Sequence, residues 1–176
     1  GPAMVDAGGY FIDSIEVTNE HYEAFVADTA GDTSGQIAEC SWNSDYTPTE
    51  WPAPPTLPVR GVDWCDARAF CAWAGKRLCG LVGGGPLTGV PQASGEEWTE
   101  ACGGSYYPYG TTFSTSQCNG DGGVRAADGS CEGLVPGLYD MSGNVEEWVD
   151  GCVGTEGASD SCLALGGSGA SVSENA

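Results

Sequence analysis

The sequence predicts an α+β fold with little regular secondary structure. Three observations lead there. Short capped helices alternate with a single strand-like run and long irregular stretches. Glycine is abundant, 29 of 176 residues, and keeps much of the backbone in turns and loops. Nine cysteines are scattered along the chain, so irregular backbone has covalent staples available. The 40% apolar fraction and six Trp are enough for one domain with a core, and no linker or internal repeat divides the chain.

Tyr10–Thr18 partly alternates and reads as a short strand. Thr18 then caps a helix with Tyr22, Phe25 and Val26 on one face. Residues 29–58 are rich in Thr, Ser, Gly and Pro; Pro48, Pro52, Pro54, Pro55 and Pro58 exclude a regular helix there. Pro58–Val62 is extended. Asp63 caps a second helix whose inner face is Ala67, Phe70, Cys71 and Ala74, and Gly75 ends it. Gly80–Gly89 is a glycine-rich loop, but no Gly-Lys-Ser/Thr or flanking βαβ pattern makes it a phosphate loop. Ser94 and Glu97 form a capping box for a third short helix ending near Ala101. From Gly103 onward turns dominate.

Twenty-five acids against five bases give a net charge of −20. Such a surface repels nucleic acid and anionic membranes. It is compatible with cation binding, although a well-solvated surface is the simpler reading. The cysteines (40, 65, 71, 79, 102, 118, 131, 152 and 162) include no C-x-x-C pair, and His21 is the single histidine, so zinc is not expected. Disulfides and an oxidising compartment are expected instead: secreted, periplasmic or cell surface. An odd count leaves one thiol free or paired outside the chain. No apolar run is long enough to span a membrane. Gly1-Pro2-Ala3-Met4 reads as a cloning scar, which sets the domain proper at 5–176.

The stretch with the most chemistry is Gly137–Trp148, Gly-Leu-Tyr-Asp-Met-Ser-Gly-Asn-Val-Glu-Glu-Trp. It places the Asp140 and Glu147 carboxylates around the carbonyls of Gly143 and Val145. A hard cation such as calcium takes about six to eight oxygen ligands of these kinds. From chemistry alone, a solvated acidic turn ahead of a buried Trp148 is the simpler reading.

Read together, the motifs resemble the formylglycine-generating enzyme, or sulfatase-modifying factor, family. Phe11–Tyr22 looks like its opening strand and helix, and Pro58–Leu78 like its central block. Glu96-Glu97-Trp98, Tyr107–Gly110, Gly137–Trp148 and Leu165-Gly-Gly-Ser168 follow in order. The resemblance implies a complex C-type-lectin-like fold with a small antiparallel sheet, a few helices and stabilising calcium. It makes Asp140, Gly143, Val145 and Glu147 calcium ligands. It also implies a second calcium site at Asn119 and Gly120, with Asp121 or Asp128 as substitutes for ligands the chain does not match.

The family's enzyme oxidises a substrate cysteine with copper held between two cysteines, and soft thiolates suit Cu(I). By resemblance those positions here are Ser171 and Ala176, which supply no thiolate, so copper and oxidase activity are not expected. A branch using iron held by three histidines is excluded by the single His21. The chain also looks as if it lacks the family's C-terminal segment, which supplies partners for cysteines at the positions of Cys71 and Cys102. Local pairing is the alternative: Cys79–Cys102, Cys118–Cys131 and Cys152–Cys162.

Weaker constellations read structurally. Ser168 lacks a Gly-x-Ser-x-Gly elbow. Glu96, Glu97, Glu146 and Glu147 are adjacent pairs that read as solvated carboxylates. Trp42 and Trp51 flank a loop where they either stack a sugar or peptide or anchor the core.

The expectation is therefore a calcium-stabilised module without the oxidase activity, presenting a protein, peptide or glycan ligand surface on its loops. The alternative is an oxidase or other modifying enzyme with its active residues in a further C-terminal part. A third possibility is an interaction module completed by a disulfide or strand partner.

Overall fold

In the computed structural model, residues 1–89, 94–103, 107–112, 114, 117–120, 122–153 and 157–167 are described. The architecture is α+β and disulfide-rich, as expected. Strand β1 (Met4–Asp6) pairs antiparallel with β2 (Phe11–Asp13), with Val5 opposite Ile12. Helices α1 (Asn19–Thr29), α2 (Trp64–Trp73) and α3 (Glu97–Ala101) follow. A second antiparallel pair, β3 (Glu147–Val153) and β4 (Ser161–Leu165), closes the order, with an irregularity in register between Trp148 and Cys152. Single 3-10 turns lie at Ala38–Cys40 and Gly157–Ser159.

The helices start for local reasons. Thr18 accepts from the His21 amide, and His21 Nδ1 lies 3.0 Å from the Thr18 hydroxyl, so the lone histidine belongs to a cap. Asp63 and Asp66 form a reciprocal capping box on α2 (2.9 and 3.1 Å). The expected Ser94–Glu97 box does not form. Glu96 is the cap residue of α3 and makes no side-chain cap bond. Glu97 is drawn away by Arg77, whose guanidinium donates to both carboxylate oxygens at 2.6 and 2.5 Å. A two-pronged ion pair to the buried Glu97 carboxylate outcompetes a backbone cap.

The apolar faces of α1 and α2 meet through Tyr22, Phe25 and Phe70, joined by Tyr46 from the loop. Phe25 and Phe70 lie edge to face, with ring centroids 5.8 Å apart. The expected extended run Pro58–Val62 holds only at its start, where the Val59 amide donates to Val17 O and Pro58 bridges Thr18; Gly61 (φ 72°) bends the chain. Two indoles tie α2 and the segment just before it to β3, in opposite senses. Trp64 Nε1 donates to Val149 O at 2.8 Å, and Trp148 Nε1 donates to Val62 O at 3.0 Å.

Three disulfides staple the irregular regions: Cys40–Cys65, Cys118–Cys131 and Cys152–Cys162. The last two match the local expectation. Cys79–Cys102 does not form; Cys71, Cys79 and Cys102 are free thiols. Burial pushes Cys71 and Cys102 up to about 12, and moves Cys79 in the same direction. At the N-terminus, Met4 opens β1, and Lys76 donates to Pro2 O at 2.9 Å and pairs with Asp13.

Candidate metal centre

The Gly137–Trp148 stretch is largely buried and runs into the start of β3 at Glu147. It is an irregular turn whose Asp140, Ser142 and Asn144 side chains are buried. Four of its residues have left-handed backbone: Gly137 (φ 80°), Asp140 (φ 60°), Gly143 (φ 81°) and Asn144 (φ 61°). Asp and Asn tolerate this region better than other side chains do. Gly143 is required for a second reason: a Cβ there would lie 2.6 Å from the Asn119 carbonyl oxygen.

Backbone hydrogen bonds pin the turn on several sides. The Asp140 amide donates to Cys131 O, the Gly143 amide to Gly166 O and the Asn144 amide to Asn119 O. Asn144 is the hub. Its Oδ1 accepts from Asn119 Nδ2 (3.0 Å) and the Arg125 amide (2.8 Å). Its Nδ2 donates to Glu16 Oε2 (2.6 Å) and Arg125 O (3.2 Å), so all four of its hydrogen-bonding positions are used. The Val145 amide donates to Glu16 Oε1 at 3.2 Å.

Two oxygens stand out because they have no partner. Asp140 Oδ2 and Asn119 Oδ1 are buried without a hydrogen bond. Among the described residues, no donor meets the carbonyls of Gly143 or Val145 either. A buried carboxylate oxygen without a donor is costly, and a cation removes that cost. The Val145 carbonyl faces the space beside Gly166, where Trp98 also packs. Trp98 Nε1 in turn donates to Glu147 Oε2 at 2.6 Å.

The electrostatics point the same way. Burial raises Asp140 to about 6, helped by the Asp128 charge. Burial raises Glu147 to about 7, with the Asp140 charge adding and the Trp98 hydrogen bond opposing. Burial raises Glu16 to about 9, with the Glu147 charge next. The influences opposing these rises are hydrogen bonds rather than basic side chains. Three acids therefore share one region in which burial disfavours their ionised forms, and a cation would favour ionisation.

The sequence-predicted residues fit a hard cation in part. Asp140 and Glu147 belong to one electrostatically linked region, and among the described residues no donor meets the Gly143 and Val145 carbonyls. Among the described residues, no group of three or more His, Cys, Asp or Glu side chains gathers around a point, so main-chain oxygens would have to complete the coordination. At the second position, Asn119 offers Oδ1, while its own carbonyl is taken by Asn144. The Gly120 amide donates to Cys118 O at 2.8 Å. Asp121, Ser168, Ser171 and Ala176 lie outside the described residues.

Sequence reasoning missed Glu16, Asn144 and Trp98 as members of this region. An acid inside the apolar run Ser-Ile-Glu-Val was the available signal for Glu16. It also misread Glu97 and Glu147 as solvated. Glu97 is 2% exposed and paired with Arg77, and Glu147 is held by Trp98; Glu146 is exposed, as expected. Glu96 is buried too. Trp42 is 42% exposed and packs beside Gly157, while Trp51 is half-buried.

A cavity of about 180 Å³ adjoins the centre, bordered by Glu16, Val145, Glu147, Trp98, Cys71 and Cys79.

Comparison with known proteins identifies the scaffold. The sulfatase-modifying factor enzyme 1-like domain family matches residues 2–176. Inactive C-alpha-formylglycine-generating enzyme 2 of Bos taurus is 36% identical over 112 residues, covering 53% of this chain and 32% of that protein. Formylglycine-generating enzyme of Mus musculus is 25% identical over 200 residues, covering 82% of this chain and 50% of that protein. The chain thus spans a third to a half of the length of these relatives. Among solved structures, that of CarF superposes with a TM-score of 0.50 at 25% identity, over 90% of this chain and 74% of CarF.

Proposed function

Because the chain belongs to the sulfatase-modifying factor enzyme 1-like family, we propose that it is a calcium-stabilised binding domain of that family, working outside the cytosol and without copper–cysteine oxidase activity. The observation that carries the calcium reading is the buried, unpartnered Asp140 Oδ2, in a turn where no described donor meets the Gly143 and Val145 carbonyls and where the Glu147 carboxylate is electrostatically linked to Asp140. Asp140 and Glu147 supply carboxylate oxygen, and Gly143 and Val145 supply carbonyl oxygen. The bound ion would neutralise the acids and fix the turn; its role is structural. Asn119 and Gly120 are the starting point of a second, weaker site.

Several observations support the rest of the reading. Three disulfides in one domain favour an oxidising compartment, secreted, periplasmic or at the cell surface. No helix among the described residues is long and apolar enough to cross a membrane. Ser171 and Ala176 stand where the resemblance puts the copper-binding thiols, and the relative from Bos taurus carries the word inactive in its name. A protein, peptide or glycan ligand would meet the loops, where Trp42, Val82 and Leu134 are exposed.

Two measurements test this. Melting in EDTA and in excess calcium tests the ion, and equal midpoints would sink it. Incubation with copper and a cysteine-containing sulfatase-type peptide tests the chemistry, and formylglycine product would overturn the non-catalytic reading.

A further inference from the structure

The Glu16 carboxylate sits in the segment after β2, yet both of its oxygens are committed to the turn 128 and 129 residues downstream. Oε2 accepts from Asn144 Nδ2 at 2.6 Å, and Oε1 accepts from the Val145 amide at 3.2 Å. Glu16 is 5% exposed and has no basic partner among the described ion pairs. A buried acid spent on one amide and one neutral side chain is an expensive way to hold a turn. Its cost becomes intelligible if the turn must hold a shape that its own sequence does not favour.

That shape is the one the ion needs. The Val145 amide and the Gly143 carbonyl flank Asn144. Glu16 holds the Val145 amide and so the Asn144–Val145 peptide, which lies between the two peptide units that carry the Gly143 and Val145 carbonyls; the first of those units is held by the Asn144 amide on Asn119 O, and the Asn144 side chain is held between Glu16 and Arg125. Among the described residues, no donor then meets the Gly143 and Val145 carbonyls. Ligand-orienting partners of this kind tune metal sites strongly: their loss typically costs about 10- to 100-fold in affinity. We propose that Glu16 is a positioning residue for the divalent cation, aiming the Gly143 and Val145 carbonyls without itself contacting the ion. The inference rests on the calcium reading of the Asp140–Glu147 turn. It also accounts for a carboxylate, rather than an amide, at position 16. A glutamine offers only one acceptor oxygen, and its own amide hydrogens would confront those of Asn144.

The test uses terbium as a calcium probe, excited through Trp98, in wild type, Glu16→Gln and Glu16→Asp. Affinity comes from calcium competition, and the number of ion-bound waters from luminescence lifetimes in H₂O and D₂O. Wild type should bind. Glu16→Gln should fold in EDTA, bind calcium about 10- to 100-fold more weakly and carry about one more ion-bound water, as a carbonyl is lost to solvent. Glu16→Asp should fall between the two. Wild-type affinity and hydration in both variants would overturn the proposal while leaving the calcium site intact. Variants that fail to fold even with calcium would also overturn it, because Glu16 would then serve the fold itself. Absence of binding by wild type would remove the calcium reading, and this inference with it.

Discussion

The Trp98 indole nitrogen donates to Glu147 Oε2 across 2.6 Å, joining α3 to the first residue of β3. The bond leaves the other carboxylate oxygen for an ion and places a fluorophore beside it. Wild-type Tm should rise by about 5–10 °C from EDTA to calcium at roughly 100 times its Kd, a gain of about 2.7 kcal/mol. Glu147→Gln should lose most of that shift while keeping its hydrogen bond to Trp98. An undiminished shift in the variant argues that Glu147 is no ligand.

The buried acids give stability in EDTA a defined slope with pH. Asp140 rises to about 6, Glu147 to about 7 and Glu16 to about 9. A raised acid binds its proton more tightly folded than unfolded, so stability is highest below its unfolded pKa and is lost as pH climbs toward the folded value. Tm in EDTA should fall from about pH 4.5 to about pH 9. Calcium, which binds the ionised form, should stabilise more as pH rises. Melts across this range with and without calcium check both signs; a Tm in EDTA that climbs throughout would contradict the burial of these acids.

Gly143→Ala should destabilise the domain by about 2–4 kcal/mol, with or without calcium. The substitution combines left-handed backbone with a Cβ placed 2.6 Å from Asn119 O. Gly137→Ala, also at positive φ but with its nearest neighbour 3.4 Å from the added Cβ, should cost about 1 kcal/mol. Denaturant midpoints of the two variants provide the comparison, and equal losses would remove the special status of position 143.

Thiol counting separates the disulfide arrangements. Three free cysteines should titrate with Ellman's reagent after denaturation, and react slowly before it, since burial raises Cys71 and Cys102 to about 12. A count of one would restore a Cys79–Cys102 bridge. Replacing both Cys40 and Cys65 with serine should cost about 3 kcal/mol, given the 25-residue separation they close.

Much of this was legible in the sequence where local chemistry decides. Thr18 and Asp63 cap helices, the apolar faces of α1 and α2 turn inward, and nearby cysteines pair at 118–131 and 152–162. Legibility failed where a partner is far along the chain. Ser94–Glu97 looks like a capping box until Arg77 competes for Glu97. Cys40 reaches Cys65 only because α2 folds back on the 3-10 turn at Ala38–Cys40. The Gly137–Trp148 stretch announces its carboxylates, but neither Glu16 nor Trp98 can be assigned to it from spacing.

The opposed indole bonds that join β3 to α2 and the segment before it, Trp64 to Val149 and Trp148 to Val62, have a kinetic counterpart. Each joins residues more than eighty positions apart, and Glu16 waits longer still for Asn144. On the ribosome, the opening strands and both long helices emerge before any of these partners has been made. Folding in such a topology is paced by loop closure, with apolar surface exposed meanwhile. The nascent chain must therefore be protected from aggregation until Gly137–Trp148 has emerged, and that stretch is the keystone whose arrival lets the earlier segments lock.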